Sequence, residues 1–131
     1  MIGVEQHEAA AQAARRLGAF DEVLVLDATR SVEVAAAVGR AGGEADLTIS
    51  CVNVNDAEMT AILSTRDGGT IYFFSMATSF TRAALGAEGV SRDVTMLVGN
   101  GYCPGHADAT LRLLRDEPVL RAIFEERFGR R

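Results

Sequence analysis

The stretch Met1-Ile2-Gly3-Val4-Glu5 reads as a short apolar strand ending in a carboxylate, and it sets the reading of everything after it. Three later apolar runs repeat the arrangement. Leu47 to Val52 leads into Asn53, Thr70 to Phe74 into Ser75-Met76-Ala77, and Val94 to Val98 into Asn100-Gly101. A further short run, Glu22 to Asp27, lies between the opening strand and the first of these. Strands separated by helical segments imply right-handed crossovers and a parallel sheet. In an open α/β sheet ligands sit outside the carboxyl ends of the strands, so these polar strand ends are the positions that would touch a ligand.

The segments between the strands carry helix signals. Glu8 to Leu17 is rich in good helix formers and is followed by Gly18, a helix terminator. Ser31 is expected to cap a helix running to about Gly39, with Gly42-Gly43 ending it, and Val32, Val34, Ala35 and Val38 supply its apolar face. Asn55 or Asp56 is expected to cap a helix carrying Met59, Ile62 and Leu63, and Asp67-Gly68-Gly69 reads as a turn before the next strand. Phe80 to Leu85 is a short helix. Pro104 is expected in the first turn of a helix carrying Ala107, Leu111 and Leu114, and Pro118 begins a final one.

The chain has 131 residues and 48% hydrophobic content, enough for one domain with a core of its own. No repeat, linker or low-complexity tract divides it. A net charge of -5 gives no electrostatic reason to approach nucleic acid or anionic lipid. No apolar run reaches the roughly 20 residues needed to span a bilayer, and no secretory leader pattern opens the chain, so a cytoplasmic location is expected. Cys51 and Cys103 stand apart, which favours reduced thiols and argues against a metal site. All 13 basic residues are arginine, so no lysine is available for a Schiff base.

The segments Ile49-Ser-Cys-Val-Asn-Val54, Asp67-Gly-Gly-Thr-Ile-Tyr-Phe-Phe-Ser-Met-Ala-Thr-Ser-Phe80, Ala84-Leu-Gly-Ala-Glu-Gly89, Asp93-Val-Thr-Met96 and Gly99-Asn-Gly-Tyr102 together resemble the L-erythro-3,5-diaminohexanoate dehydrogenase family of lysine fermentation. The resemblance covers essentially the whole chain, and the run from Gly68 to Phe80 is its most specific part. It implies a partial Rossmann-like coenzyme domain of the medium-chain dehydrogenase type over residues 1–131, with the first strand missing and a sheet order 3-2-(1)-4-5-6. It also implies hydride transfer to NAD or NADP during oxidative deamination of 3,5-diaminohexanoate to 5-amino-3-oxohexanoate, with no obligatory metal.

Each candidate residue has an ordinary structural reading beside its functional one. Glu5 stands where such folds place an acceptor for the adenosine ribose hydroxyls, which favours NAD; a solvated glutamate at a helix start is the alternative. Asp27, with Ala28, is a candidate near the adenine or else a turn residue. His7 is a surface residue or an adenine neighbour. Asn53, Ser75, Met76, Ala77 and Asn100 are candidates around the central ribose and nicotinamide, against turn or packing roles. Tyr102 and His106 are candidates for proton transfer, and each is as readily an exposed side chain.

The resemblance departs from its family in lacking a substrate domain and a glycine-rich turn for the pyrophosphate, so the chain is expected to be a fragment, inactive by itself. A homodimer through the edge strand at 94–98 is expected. Two other readings stay open: another zinc-independent medium-chain dehydrogenase or quinone reductase, and a non-catalytic dimerisation or ligand-binding remnant.

Overall fold

A computed structural model describes residues 1–75, 77–99 and 102–129. Five strands and six helices alternate along these residues: β1 (Ile2–Glu5), α1 (Glu8–Leu17), β2 (Glu22–Val25), α2 (Ser31–Gly42), β3 (Ala45–Ser50), α3 (Glu58–Ser64), β4 (Thr65–Phe73), α4 (Phe80–Gly89), β5 (Thr95–Val98), α5 (His106–Asp116) and α6 (Pro118–Phe128). The strands form two parallel sheets, β1-β2 and β3-β4-β5. Within each sheet the neighbours are those of the expected order, β2 beside β1 in one and β3-β4-β5 in the other. The fold is α/β with parallel strands in two small sheets.

The helix α2 carries the chain from one sheet to the other and packs on α3, which packs in turn on α4, so these three form a continuous layer. Thr60 near the start of α3 donates its hydroxyl to the Ala28 carbonyl, 2.5 Å away, just past the end of β2. This contact places the carboxyl ends of β2 and β3 on the same side of the molecule.

The tightest packing lies between β4 and the helices α3 and α4. Alternation along β4 points Ile71 and Phe73 at the helices, where they meet Ala61, Ile62, Ala83 and Ala87, with Met59, Val94 and Met96 at the margin. Alanines at the contact let the helices approach closely. Gly86 of α4 extends this: a Cβ there would sit 2.6 Å from Met59 Sδ, so only a glycine fits without displacing the methionine. The other face of the same sheet is open, with Leu47 55%, Ile49 56% and Leu97 51% exposed.

The local differences from the sequence reading have physical causes. Asp67-Gly68-Gly69 lies inside β4 rather than ahead of it, where the β3–β4 register shifts between Ala45 and Leu47. Gly68 takes φ +69 and donates its N–H to the Asp93 carbonyl at 2.6 Å, and a Cβ on Gly69 would strike Thr65 Cγ2 at 2.6 Å. The glycines therefore serve a bulge, and β4 starts directly at the end of α3. Fully buried Thr65 fixes that junction by donating its hydroxyl to the Ala61 carbonyl at 2.7 Å while accepting from Thr48 at 2.7 Å.

Three expected caps differ. Arg30 rather than Ser31 occupies the N-cap of α2, and α2 runs on to Gly42. Ala57 occupies that of α3, with no side-chain cap; Asp56 instead sits at φ 69, paired with Arg82. Gly105 at φ 81 precedes α5, which leaves Pro104 outside the helix. Pro118 does open α6, and Gly18 and Gly43 close α1 and α2 with positive φ. No residue of α5 or α6 is buried; their tie to the rest includes the Arg16–Glu126 ion pair at 2.9 Å.

Candidate functional site

The loops leaving the strands at their carboxyl ends carry nearly all the candidate residues. Where β3 ends at Ser50, the chain continues through exposed Cys51 to Asn53; where β4 ends at Phe73, it continues through Phe74 to Ser75. Adjacent parallel strands bring these two loops together. The Ser75 hydroxyl donates to Asn53 Oδ1 at 3.3 Å and accepts the Ala77 N–H at 3.1 Å. Three of the candidates thus form one hydrogen-bonded chain, which leaves the Asn53 amide nitrogen, a double donor, with no partner among the described residues.

A residue that the sequence reading passed over holds this arrangement in place. Glu58 in the first turn of α3 is 4% exposed, and its Oε1 accepts the Ser79 N–H at 2.6 Å. Ser79 is the N-cap of α4, its hydroxyl accepting the Arg82 N–H at 3.4 Å. The loop carrying Ser75 and Ala77 is therefore anchored at its far end by a buried carboxylate of the preceding helix. The Arg82–Asp56 ion pair ties the first turn of α4 to the loop after β3 from outside. The available signal was an acidic residue in the first turn of an otherwise apolar helix, where the dipole favours negative charge.

The two candidates on the smaller sheet are each partly occupied by local contacts. Glu5 ends β1, and its Oε1 accepts the His7 N–H at 2.8 Å, which leaves the second carboxylate oxygen as an acceptor. His7 itself is exposed at the N-cap of α1. Asp27 lies two residues past β2, and one oxygen accepts both the Thr29 N–H at 2.9 Å and the Thr29 hydroxyl at 2.8 Å. These bonds, the backbone one foremost, hold the Asp27 carboxyl below its ordinary range. The geometry is that of a turn closed by its own side chain.

Tyr102 and His106 lie together beyond β5. Their rings meet edge to face with centroids 5.2 Å apart, and Tyr102 is 80% exposed. The His106 Nδ1 is 2.7 Å from the Cys103 carbonyl, which can only accept, so Nδ1 carries the proton and neutral His106 presents a bare Nε2. No hydrogen bond among the described residues joins this pair to the Asn53–Ser75 chain. Met76 and Asn100, also candidates, lie outside the described residues, as does Gly101. Among the described residues, no group of three or more His, Cys, Asp and Glu side chains is placed to hold a metal ion.

The donor set suits the two ends of a nicotinamide dinucleotide. A carboxylate with a free oxygen at the end of β1 matches a vicinal diol, and the free amide donors of Asn53 match a carboxamide carbonyl. The G-x-G-x-x-G spacing of a pyrophosphate-binding turn does not occur in the sequence.

Comparison with known proteins agrees with the resemblance read from the sequence. The chain is 46% identical over 130 residues, 98% of its length, to the L-erythro-3,5-diaminohexanoate dehydrogenase of Acetoanaerobium sticklandii. It is 46% identical over 128 residues, 96% of its length, to the protein of the same name from Fusobacterium nucleatum subsp. nucleatum. The chain spans only 38% and 37% of those two relatives. No family model matches the chain.

Proposed function

We propose that this chain is the coenzyme-binding part of a cytoplasmic, nicotinamide-dependent oxidoreductase that deaminates 3,5-diaminohexanoate to 5-amino-3-oxohexanoate in lysine fermentation. The observation that carries the proposal is the 46% identity maintained over 98% of the chain to a dehydrogenase of that name. Identity at that level over nearly every element supports a shared role for the strand-end loops as well as a shared fold. No helix among the described residues is long and apolar enough to cross a membrane.

The bound dinucleotide, NAD by preference, supplies the hydride acceptor for oxidation of the carbon bearing the amine. The work of the chain is orientation. Glu5 holds the ribose hydroxyls at one end of the site through its free oxygen, and its charge disfavours a 2′-phosphate there. Asn53, fixed by Ser75, turns its amide donors toward the nicotinamide carboxamide, and Ala77, fixed by the same hydroxyl, keeps the adjoining backbone in register. Asp27 and Ala28 border the adenine. His106, with Nδ1 held by the Cys103 carbonyl, has Nε2 available to take or return a proton, and Tyr102 meets its ring edge to face.

The test uses this chain alone and joined to the non-matching part of the Acetoanaerobium sticklandii enzyme, with reduced nicotinamide followed by absorbance at saturating 3,5-diaminohexanoate. The joined protein is expected to turn over and the chain alone to give no amine-dependent reduction of NAD or NADP. In the joined protein Glu5→Ala should weaken NAD by about 1 to 3 kcal/mol, the scale of hydrogen bonds to a charged group, with less effect on NADP. A joined protein that folds but binds neither dinucleotide overturns the proposal.

A further inference from the structure

Charge is distributed unevenly between the two ends of the sheet β3-β4-β5. Residues 45–98 contain three arginines, Arg66, Arg82 and Arg92. Arg66 stands at the start of β4 and pairs with Asp46 at 2.7 Å, and Arg92 precedes β5 and pairs with Glu44, so both lie at the amino ends of the strands. Arg82 alone lies at the carboxyl ends, in the first turn of α4. The carboxylates divide in the same way: Asp46, Asp67, Glu88 and Asp93 lie toward the amino ends, Asp56 and Glu58 toward the carboxyl ends. Glu58 is buried and occupied by the Ser79 N–H. The carboxyl-end rim of this sheet thus carries one accessible cation and one accessible anion, and the two are paired with each other.

The pair stands on the loops of the candidate site. Asp56 follows Asn53 on the loop leaving β3, and Arg82 follows Ser79, which ends the loop carrying Ser75 and Ala77. The first turn of a helix favours negative charge, yet that of α4 contains no acidic residue and carries Arg82 instead. The helix end and the guanidinium therefore act in the same sense on an arriving anion. Both side chains of the pair are more than half exposed, 58% and 63%, so their mutual attraction is weak and each can exchange the other for a new partner at little cost.

We infer that Arg82 and Asp56 select the substrate by its two charged groups that the reaction leaves unchanged, Arg82 receiving the C1 carboxylate and Asp56 the C5 ammonium. This rests on the diaminohexanoate reading proposed above and adds to it the residues that recognise the substrate. The chain has no lysine, so an arginine is the only permanently charged donor it can offer a carboxylate, and the guanidinium fork suits that group. The ammonium in turn brings three donors to the Asp56 carboxylate. Carbon 3, the one oxidised, lies two carbons from each charged group, so holding both ends presents it beside Asn53 and the nicotinamide. Without substrate the two side chains neutralise each other; with it each takes a new partner of the same sign, and no charge is left unpaired.

The test uses this chain joined to the non-matching part of the Acetoanaerobium sticklandii enzyme and three compounds: 3,5-diaminohexanoate, its C1 amide, and 3-aminohexanoate, which lacks the C5 amine. Affinity is read as KM, or as an inhibition constant for an analogue that is not turned over. Arg82→Gln should weaken 3,5-diaminohexanoate at least roughly tenfold and the C1 amide by less than about twofold, because the charge it would meet is absent there. Asp56 sits at φ 69, a backbone that asparagine also adopts, so Asp56→Asn isolates the charge; it should weaken 3,5-diaminohexanoate by a similar factor and leave 3-aminohexanoate unchanged. NAD affinity by titration should be the same in both variants. A pair that only braces the loops would affect all three compounds alike, and a pair that holds the cofactor would weaken NAD; either result overturns the inference, as does turnover with KM unmoved by both substitutions. An unsubstituted joined protein that binds neither dinucleotide overturns the underlying reading, and the inference with it.

Discussion

Replacing Glu58 tests whether the site loop is held from below. The carboxylate is 4% exposed and accepts one backbone N–H at 2.6 Å, a short charge-assisted bond. Hydrogen bonds to charged groups contribute about 1.5 to 3 kcal/mol, and negative charge in a first helical turn adds about 0.3 to 1 kcal/mol. Against this stands the cost of burying the charge, which the substitution relieves. Glu58→Ala is therefore expected to destabilise the chain by about 2 kcal/mol. Glu58→Gln keeps an acceptor of the same reach and should cost about 1 kcal/mol, since neutral hydrogen bonds have about half the strength of charged ones. Urea unfolding gives both values, and exchange of the Ser79 amide localises them. A Glu58→Ala midpoint equivalent to less than about 0.5 kcal/mol, or a Ser79 amide no faster to exchange, would refute the anchoring role.

Phe73→Ala should cost about 3 to 5 kcal/mol in urea unfolding, because the alanines in its cluster carry only methyl groups, too short to reach into the cavity; a loss under about 1.5 kcal/mol would contradict the packing described. The Asp27 carboxyl should titrate below the ordinary value of about 3.9, and Thr29→Val, which keeps the backbone donor, should bring it only part of the way back. Because the folded value is depressed, the stability from this turn is present above the unfolded value and lost as pH falls through the folded one; a carbon-detected titration at or above the ordinary value would exclude the turn contact. The homodimer proposed through β5 should shift toward monomer in Met96→Pro by sedimentation, since the Met96 N–H points away from β4 to the open edge; an unchanged dimer would place the contact elsewhere.

Strand order was readable from the sequence because each apolar run was short, ended in polar residues and was followed by a helical segment. The division into β1-β2 and β3-β4-β5 followed from counting strands against the order of an open α/β sheet. The bulge did not, because Asp67-Gly68-Gly69 has the composition of a turn, and only the contact of Gly68 with Asp93, across 25 positions of sequence, keeps it inside β4. Caps at Ser31 and Asp56 failed for a related reason. Competing partners took the neighbouring positions, an ion pair from Arg82 in the case of Asp56. The pairing of Asn53 with Ser75 was implicit in both being strand ends, whereas Glu58 was concealed by its position in an apolar helix, where a lone carboxylate reads as surface.

Among the described residues every ladder joins strands that are neighbours in the chain: β1 with β2, β3 with β4, and β4 with β5. Each pairing closes a loop containing a single helix, so little chain entropy is lost before contacts form, and low contact order favours fast folding. The two sheets share no strand. The chain is consequently expected to open as two cooperative units, residues 1–25 and 45–98, coupled through α2. Native-state exchange should resolve two opening free energies, the smaller in β1 and β2, which lack the Ile62, Ile71 and Phe73 core.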